Sequence, residues 1–300
     1  MSQIEPSRHS QAAHTRLLSG SENQADKFVI KFWGVRGLIP TPGEENNRYG
    51  GNTACVEMQV AGKNLIFDGG TGLRILGKTW LQQQRKTIGY LFFTNAQANR
   101  IQGFPFFAPV FVPGNCFHIY GTAASNGASI KQSLSDQMLL PHFPYPLQVM
   151  ESELQFYNLT PDKVIAIDDL TVQIALINNN TKSVGYRIQL KEYSVAYITD
   201  LQSEIDDSEQ ENLMKLIQGV DLLIANPSYR TSNFYETQTS IECYWRVVVD
   251  LARKTGGKQL VFSNHHPNDN DDFLDKIEIN LKKEFEQGFL AYEGMVLTIN

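Results

Sequence analysis

From Phe28 onward, apolar positions fall in short β-branched and aromatic runs separated by Gly, Pro and Asn, as in FVIKFWGV, ACVEMQV and NLIFDGGTG. Runs of this length and composition predict strands. A helical spacing follows over Leu73 to Gln84, and then YLFFT at Tyr90 to Thr94, which does not alternate and so predicts a strand buried on both faces. The middle of the chain predicts a strand at CFHIYG, a helix near Ala128 to Leu140, a Pro-rich loop (PHFPYP), and strands at ELQFYNL, KVIAI, LTVQIALI, VGYRIQL and YSVAYIT. The last third alternates: helices near Ser208 to Gln218, Ser240 to Lys254 and Asp271 to Glu286 enclose strands DLLIAN and QLVFS, and LAYEGMVLTIN closes the chain. Strands first and alternating strands and helices later, with no linker-like stretch between, predict a single α/β domain of two mainly antiparallel or mixed sheets stacked face to face with helices outside. Residues 1–26 are polar, with one apolar spot at Leu17 and Leu18, and predict a disordered tail ahead of a domain spanning 27–300.

Composition narrows the function classes. The chain of 300 residues carries 26 Lys and Arg against 32 Asp and Glu, a net charge of −6, and no long basic run offsets it. A phosphate-backbone binder normally has a basic excess, so nucleic acid is disfavoured as a partner. No apolar stretch reaches the ~18 residues of a membrane helix, and the N-terminal residues lack the apolar core of a secretion signal, so a cytoplasmic location is expected. Cys55, Cys116 and Cys243 are scattered without C-x-x-C spacing, which fits buried thiols in a reducing compartment.

Chemistry in layered α/β proteins collects beyond strand ends. Here those ends carry Asn95-Ala96-Gln97-Ala98-Asn99-Arg100 after YLFFT, Asn178-Asn179-Asn180-Thr181 after LTVQIALI, Asp200 after YSVAYIT, and Asn264-His265-His266 after QLVFS. Each Asn alone reads as turn chemistry; four such ends together suggest a site. Asp68-Gly69-Gly70-Thr71-Gly72 precedes a helix but lacks the P-loop Lys and the G-x-G-x-x-G spacing, so it reads as a structural turn, and no cofactor is expected. His118 reads as a strand residue and His142 as a loop residue.

FWGVRGLIPTPG, RYGGNTACVEM, FDGGTGLRILG, LFFTNAQANRIQGFPFFAP, SVGYRIQL, AYITD and LAYEGM, in this order and spacing, resemble the metallo-β-lactamase fold hydrolases, in the branch that holds metal-dependent phosphodiesterases and ribonuclease Z. The resemblance implies a four-layer αβ/βα sandwich with a two-metal site at one edge, whose hallmark is H-x-H-x-D-H after a buried strand. Matched residue by residue, the three His of that hallmark fall on Asn95, Gln97 and Arg100 and its Asp on Asn99. The next ligand His falls on Asn179, the bridging carboxylate on Asp200, and the last His on Asn264, with His265 as its neighbour; a further active-site His falls near Gln238. Arg36 and the Tyr49-Gly50-Gly51-Asn52-Thr53 segment match stretches lining the cleft, and Asp68 matches the Asp-lined turn, so Arg36, Asn52, Asp68, Gln238 and His265 are the candidate cleft-binding residues.

Amides bind zinc or manganese weakly, and Arg100 brings a permanent positive charge to the place of a dication. The implied reading is therefore a pseudoenzyme with no metal and no catalytic residue, acting by binding a protein partner or a small ligand in a regulatory role. The alternatives are a metal-dependent hydrolase with an atypical site, for instance a remnant of Asp200 with His265 and His266, and a homo-oligomeric structural protein. If the metals are gone, the simplest compensation is a buried ion pair between Arg100 and Asp200, with Asn95, Gln97, Asn99 and Asn179 satisfying the remaining polar groups.

Overall fold

The computed structural model describes residues 27–83, 86–201, 207–227 and 241–300. The predicted tail (1–26) and Gln238 lie outside the described residues.

Three antiparallel strands, β1 (Phe28–Gly34), β2 (Cys55–Val60) and β3 (Lys63–Phe67), lead into helix α1 (Gly72–Leu81). Three parallel strands follow, β4 (Ile88–Phe92), β5 (Cys116–Thr122) and β6 (Glu153–Leu159), with the short helices α2 (Ala98–Ile101) and α3 (Ile130–Asp136) in their crossovers. The chain then enters a second sheet as an antiparallel meander, β7 (Val164–Ile167), β8 (Leu170–Asn178), β9 (Ser183–Leu190) and β10 (Tyr193–Leu201). Parallel strands β11 (Leu222–Pro227), β12 (Gln259–Phe262) and β13 (Gly288–Leu290) extend it, joined by helices α4 (Asp207–Ile217), α5 (Ile241–Thr255) and α6 (Asp271–Glu284). The last strand, β14 (Val296–Ile299), returns to pair with β1. Each sheet has seven strands, in the orders β14-β1-β2-β3-β4-β5-β6 and β13-β12-β11-β10-β9-β8-β7. The α/β sandwich read from the sequence is thus present, with the α3 helix shorter than the predicted 128–140 and the turn of helix at 98–101 not anticipated.

Alternation explains the layers. On β10, Val195 and Tyr197 join the core between the sheets while Ala196 and Ile198 join the core under the helices; on β11, Leu222 and Ile224 face inward and Leu223 and Ala225 outward. A third core packs Leu73, Leu76 and Trp80 of α1 with Phe104 and Phe107 on the outside of the first sheet. The buried carboxylate of Glu57 accepts hydrogen bonds from the Trp33 and Trp80 indoles, both at 2.9 Å, and so ties α1 to β1 and β2. Helix α6 has the termini its sequence calls for: Asn270 caps it by accepting from the Phe273 N–H at 3.0 Å, with Asp271 and Asp272 in the first turn and Lys282 and Lys283 in the last.

One row of side chains on the inner face of the first sheet is aromatic across four strands. Phe67, Phe92, Tyr120 and Tyr157 are register partners on β3, β4, β5 and β6. Their rings stack as near-parallel plates with centroids 5.3, 4.7 and 4.6 Å apart.

Candidate functional site

The C-terminal ends of the parallel strands of both sheets open at one edge, and the residues singled out by the sequence leave from those ends. Asp68 follows β3, Asn95 and Arg100 follow β4, Asp200 lies near the end of β10, and Asn264 follows β12. Asp68, Asp200 and Asn264 have left-handed backbones, with φ of 60°, 58° and 61°. Non-glycine residues held there store strain, which concentrates at functional sites. Two backbone bonds fasten the Asp68 turn to α2: Gly69 N donates to Arg100 O at 2.6 Å and Gly103 N to Gly69 O at 2.9 Å. Gly103 is required there, because a Cβ on it would overlap the Gly70 carbonyl.

At the centre is a charged triad. The Arg100 guanidinium is 1% exposed; its Nη2 donates to Asp200 Oδ1 at 3.2 Å and its Nη1 lies 3.3 Å from Asp68 Oδ2. The second contact is an ion contact rather than a hydrogen bond, since Nη1 and Nε have no hydrogen-bond partner among the described residues. Asp68 is held further by Thr94, whose N–H and hydroxyl donate to Oδ1 at 2.8 and 2.9 Å, and by the Tyr197 hydroxyl, which donates to Oδ2 at 3.0 Å. Asp200 Oδ2 accepts from Asn95 Nδ2 at 2.6 Å and from the Ser183 hydroxyl at 3.0 Å, while Asn178 Nδ2 donates to the Asp200 carbonyl at 3.1 Å. Burial raises the Asp68 pKa above the usual carboxylate value, against the lowering pull of Arg100 and the Thr94 and Tyr197 bonds. For Arg100, burial lowers the pKa but Asp200 and Asp68 together outweigh it, so the guanidinium is held firmly charged.

The expected pair of Arg100 and Asp200 is therefore formed, and Asp68 makes it a triad. The supporting cast differs from expectation. Asn95 does serve Asp200 and Asn99 is buried, but the Gln97 and Asn179 side chains are exposed. Gln97 contributes its backbone N–H, to Asn95 Oδ1 at 2.9 Å, and Asn179 accepts from Lys182 Nζ at 2.5 Å on the surface. Their inward roles are taken by Asn178 and Ser183. Sequence reasoning missed Ser183, Thr94 and Tyr197; Tyr197 alone had a signal, an inward-facing polar ring three residues before Asp200.

Three candidate cleft residues are engaged by other parts of the chain. Arg36 is fully buried and spreads its donors over Gly50 O (2.6 Å), Asp269 O (2.7 Å), Asn46 Oδ1 (3.1 Å) and His266 O (3.3 Å), pinning two loops together. Asn52 spends its N–H and amide on Glu293, at 2.6 and 2.9 Å. His265 donates from Nε2 to Ala291 O at 2.7 Å and packs edge-on against Tyr49; burial lowers its pKa to about 3, so the ring is neutral. His266 accepts from Asn268 N at Nδ1, at 3.2 Å. Asn264 is fully buried, and its carbonyl accepts from Asn226 Nδ2 at 3.3 Å.

The donor set does not fit the two-metal centre that the resemblance implies. Among the described residues no three His, Cys, Asp or Glu side chains converge as a metal-binding group, and the two retained carboxylates are already bridged by a cation that belongs to the chain.

Asp269, beside Arg36, gives a prediction. Burial raises its pKa to about 7, against the lowering effects of the His266 N–H and Arg36. The folded state then holds a proton that the unfolded chain has released, so this group makes stability fall as pH rises from about 4 to about 7. His265, with its folded pKa lowered to about 3, acts in the opposite sense between about 3 and 6.5. Asp269→Asn should therefore gain stability relative to the parent as pH rises through that window, by up to ~1.4 kcal/mol per pH unit. Urea titrations at stepped pH measure it, and a pH-independent difference between the two proteins would contradict it.

No family model matches the sequence, and no curated protein matches it. Solved structures do match. The metallo-β-lactamase fold protein YhfI from Bacillus subtilis superposes with a TM-score of 0.62 at 17% identity, covering 91% of this chain and 100% of that one. A diphosphatase of the PhnP family gives 0.62 at 16% identity, covering 91% and 97%, and the short form of human tRNase Z gives 0.59 at 16%, covering 91% and 99%. At these identities the likeness is one of fold.

Proposed function

We propose that this chain, which has the metallo-β-lactamase fold, is a pseudoenzyme that acts by binding a protein partner or a small polar ligand at the former metal edge. The observation that supports this reading is the Arg100 guanidinium between Asp68 and Asp200, at 3.3 and 3.2 Å. A dication in that place would meet a fixed positive charge, and the amides at Asn95 and Asn99 offer neither an imidazole nitrogen nor a carboxylate. No group in the triad supplies what a hydrolytic metal supplies, a bound water of lowered pKa. An ion-paired, hydrogen-bonded floor with exposed amides above it suits recognition instead. In this reading Gln97 and Asn179 form the rim that meets the ligand.

Two measurements test it. Elemental analysis of the purified chain is expected to find zinc, manganese and iron well below one equivalent, with no metal-dependent cleavage of a generic phosphodiester; a full equivalent of metal or such cleavage overturns the reading. Gln97→Leu and Asn179→Leu should weaken capture of the native partner while leaving the melting temperature nearly unchanged, as exposed positions do. If partner contacts map to the opposite edge of the sandwich, the rim assignment fails.

A further inference from the structure

Among the described residues the longest sheet edge without a second partner strand belongs to β6. Among the described residues β6 pairs only with β5, through seven register pairs from Cys116↔Glu153 to Thr122↔Leu159 without a shift. The other terminal strands, β7, β13 and β14, have four, three and four residues. Natural edges are usually blunted by Lys, Pro, a bulge or extreme shortness. The β6 sequence ELQFYNL has none of these. Beside it, after the short connection 160–163, runs the apolar edge strand β7, VIAI, with Val164 57% exposed.

The aromatic row ends at this edge. Its plates are spaced 4.6–5.3 Å apart, which is the spacing between strands, so the next plate falls one strand beyond β6. Tyr157 is 37% exposed, and its ring partners among the described residues, Tyr120 and His118, both come from β5. A strand added to β6 is thus asked to bring an aromatic residue opposite Tyr157. A second copy of this chain brings one.

We propose that β6 is the seam of a homodimer, in which two copies pair their β6 strands antiparallel about a two-fold axis at Tyr157. Gln155 then faces Leu159 of the other copy and Phe156 faces Asn158. Glu153, the one charged residue of the strand, falls opposite Pro161, so no like charges meet across the seam. The two seven-stranded sheets join into one, and the aromatic row continues across the axis into its own image.

Light scattering and sedimentation of the full chain at micromolar concentration should give twice 33.9 kDa. Tyr157→Lys sets two ammonium groups against each other and should yield monomer with an unchanged far-ultraviolet spectrum. Tyr157→Cys should cross-link to dimer under a mild oxidant while the parent chain, with its own three cysteines, does not; this variant also carries the test if the lysine variant fails to fold. The proposal is overturned by a monomeric parent chain, or by a dimer that survives Tyr157→Lys with no cross-link at Tyr157→Cys. A parent monomer that dimerises only once residues 1–26 are deleted would place that segment on the edge and also overturn it.

Discussion

Arg100→Leu is expected to lower the unfolding free energy by ~3–5 kcal/mol, the range typical of breaking a buried ion pair from one side. The substitution leaves Asp68 and Asp200 facing one another in a site where the guanidinium was 1% exposed. The two carboxylates do not suffer equally. Asp68 is fully enclosed and already has a raised pKa from burial, so without Arg100 it takes up a proton more readily and lessens its own penalty. The loss should therefore be larger at pH 8 than at pH 5, because in the variant the folded state carries the extra proton and stability falls with rising pH. Arg100→Leu combined with Asp200→Leu should recover part of the loss, and adding Asp68→Asn should recover more, since Asn can still accept from Thr94. Denaturant titrations of the three proteins decide the matter. A loss below ~1 kcal/mol for the single variant, the scale of an exposed salt bridge, or a triple variant no better than the single, would show that the triad does not hold the site together.

Arg36→Leu should be as damaging for a different reason. Here the guanidinium serves three backbone carbonyls and the Asn46 amide oxygen, all in a region it shares with buried Asn46 and Asp269. Removing it strips several buried acceptors at once, each worth ~1–3 kcal/mol when left unpaired. We expect a total loss of at least ~3 kcal/mol and, from the release of the loops at 46–50 and 266–269, a shallower denaturant slope. A ligand-binding role for Arg36, as its match to a cleft-lining segment implied, would instead leave stability intact and abolish capture of the partner. The two outcomes separate cleanly in one melting experiment alongside one binding experiment.

The fold was legible because its signals are periodic. Val195 to Ile198 and Leu222 to Ala225 alternate between two cores, and the caps and charges of α6 mark its ends, so the strand and helix order could be read directly. The centre of the site was legible for another reason: Arg100 and Asp200 are opposite charges at two strand ends that the resemblance places together. What stayed hidden was direction. Asn178 and Asn179 are chemically identical neighbours in one turn, and the residue that points inward is set by the irregular pairing of β8 with β9 between Leu176 and Asn178, which no local pattern announces. The bonds that Arg36, Asn52 and His265 make within the chain were hidden as well, because a motif marks a position near a cleft without saying whether the side chain turns toward solvent or spends its donors on neighbouring groups. Among the described residues no helix is long and apolar enough to cross a bilayer.

The left-handed conformations of Asp68, Asp200 and Asn264 bear on engineering. Each is a local expense of order 1–3 kcal/mol for a residue with a Cβ, and Asp68 and Asp200 bear it where both are held by the Arg100 guanidinium. At these three positions the backbone is thus already bent, and the obstacle to installing a metal there lies in the side chains. A design that returned imidazoles and a carboxylate to positions 95, 99, 100 and 264 would have to remove the guanidinium that now occupies the centre, and it would also have to turn the loops at 97 and 179, whose side chains now face outward.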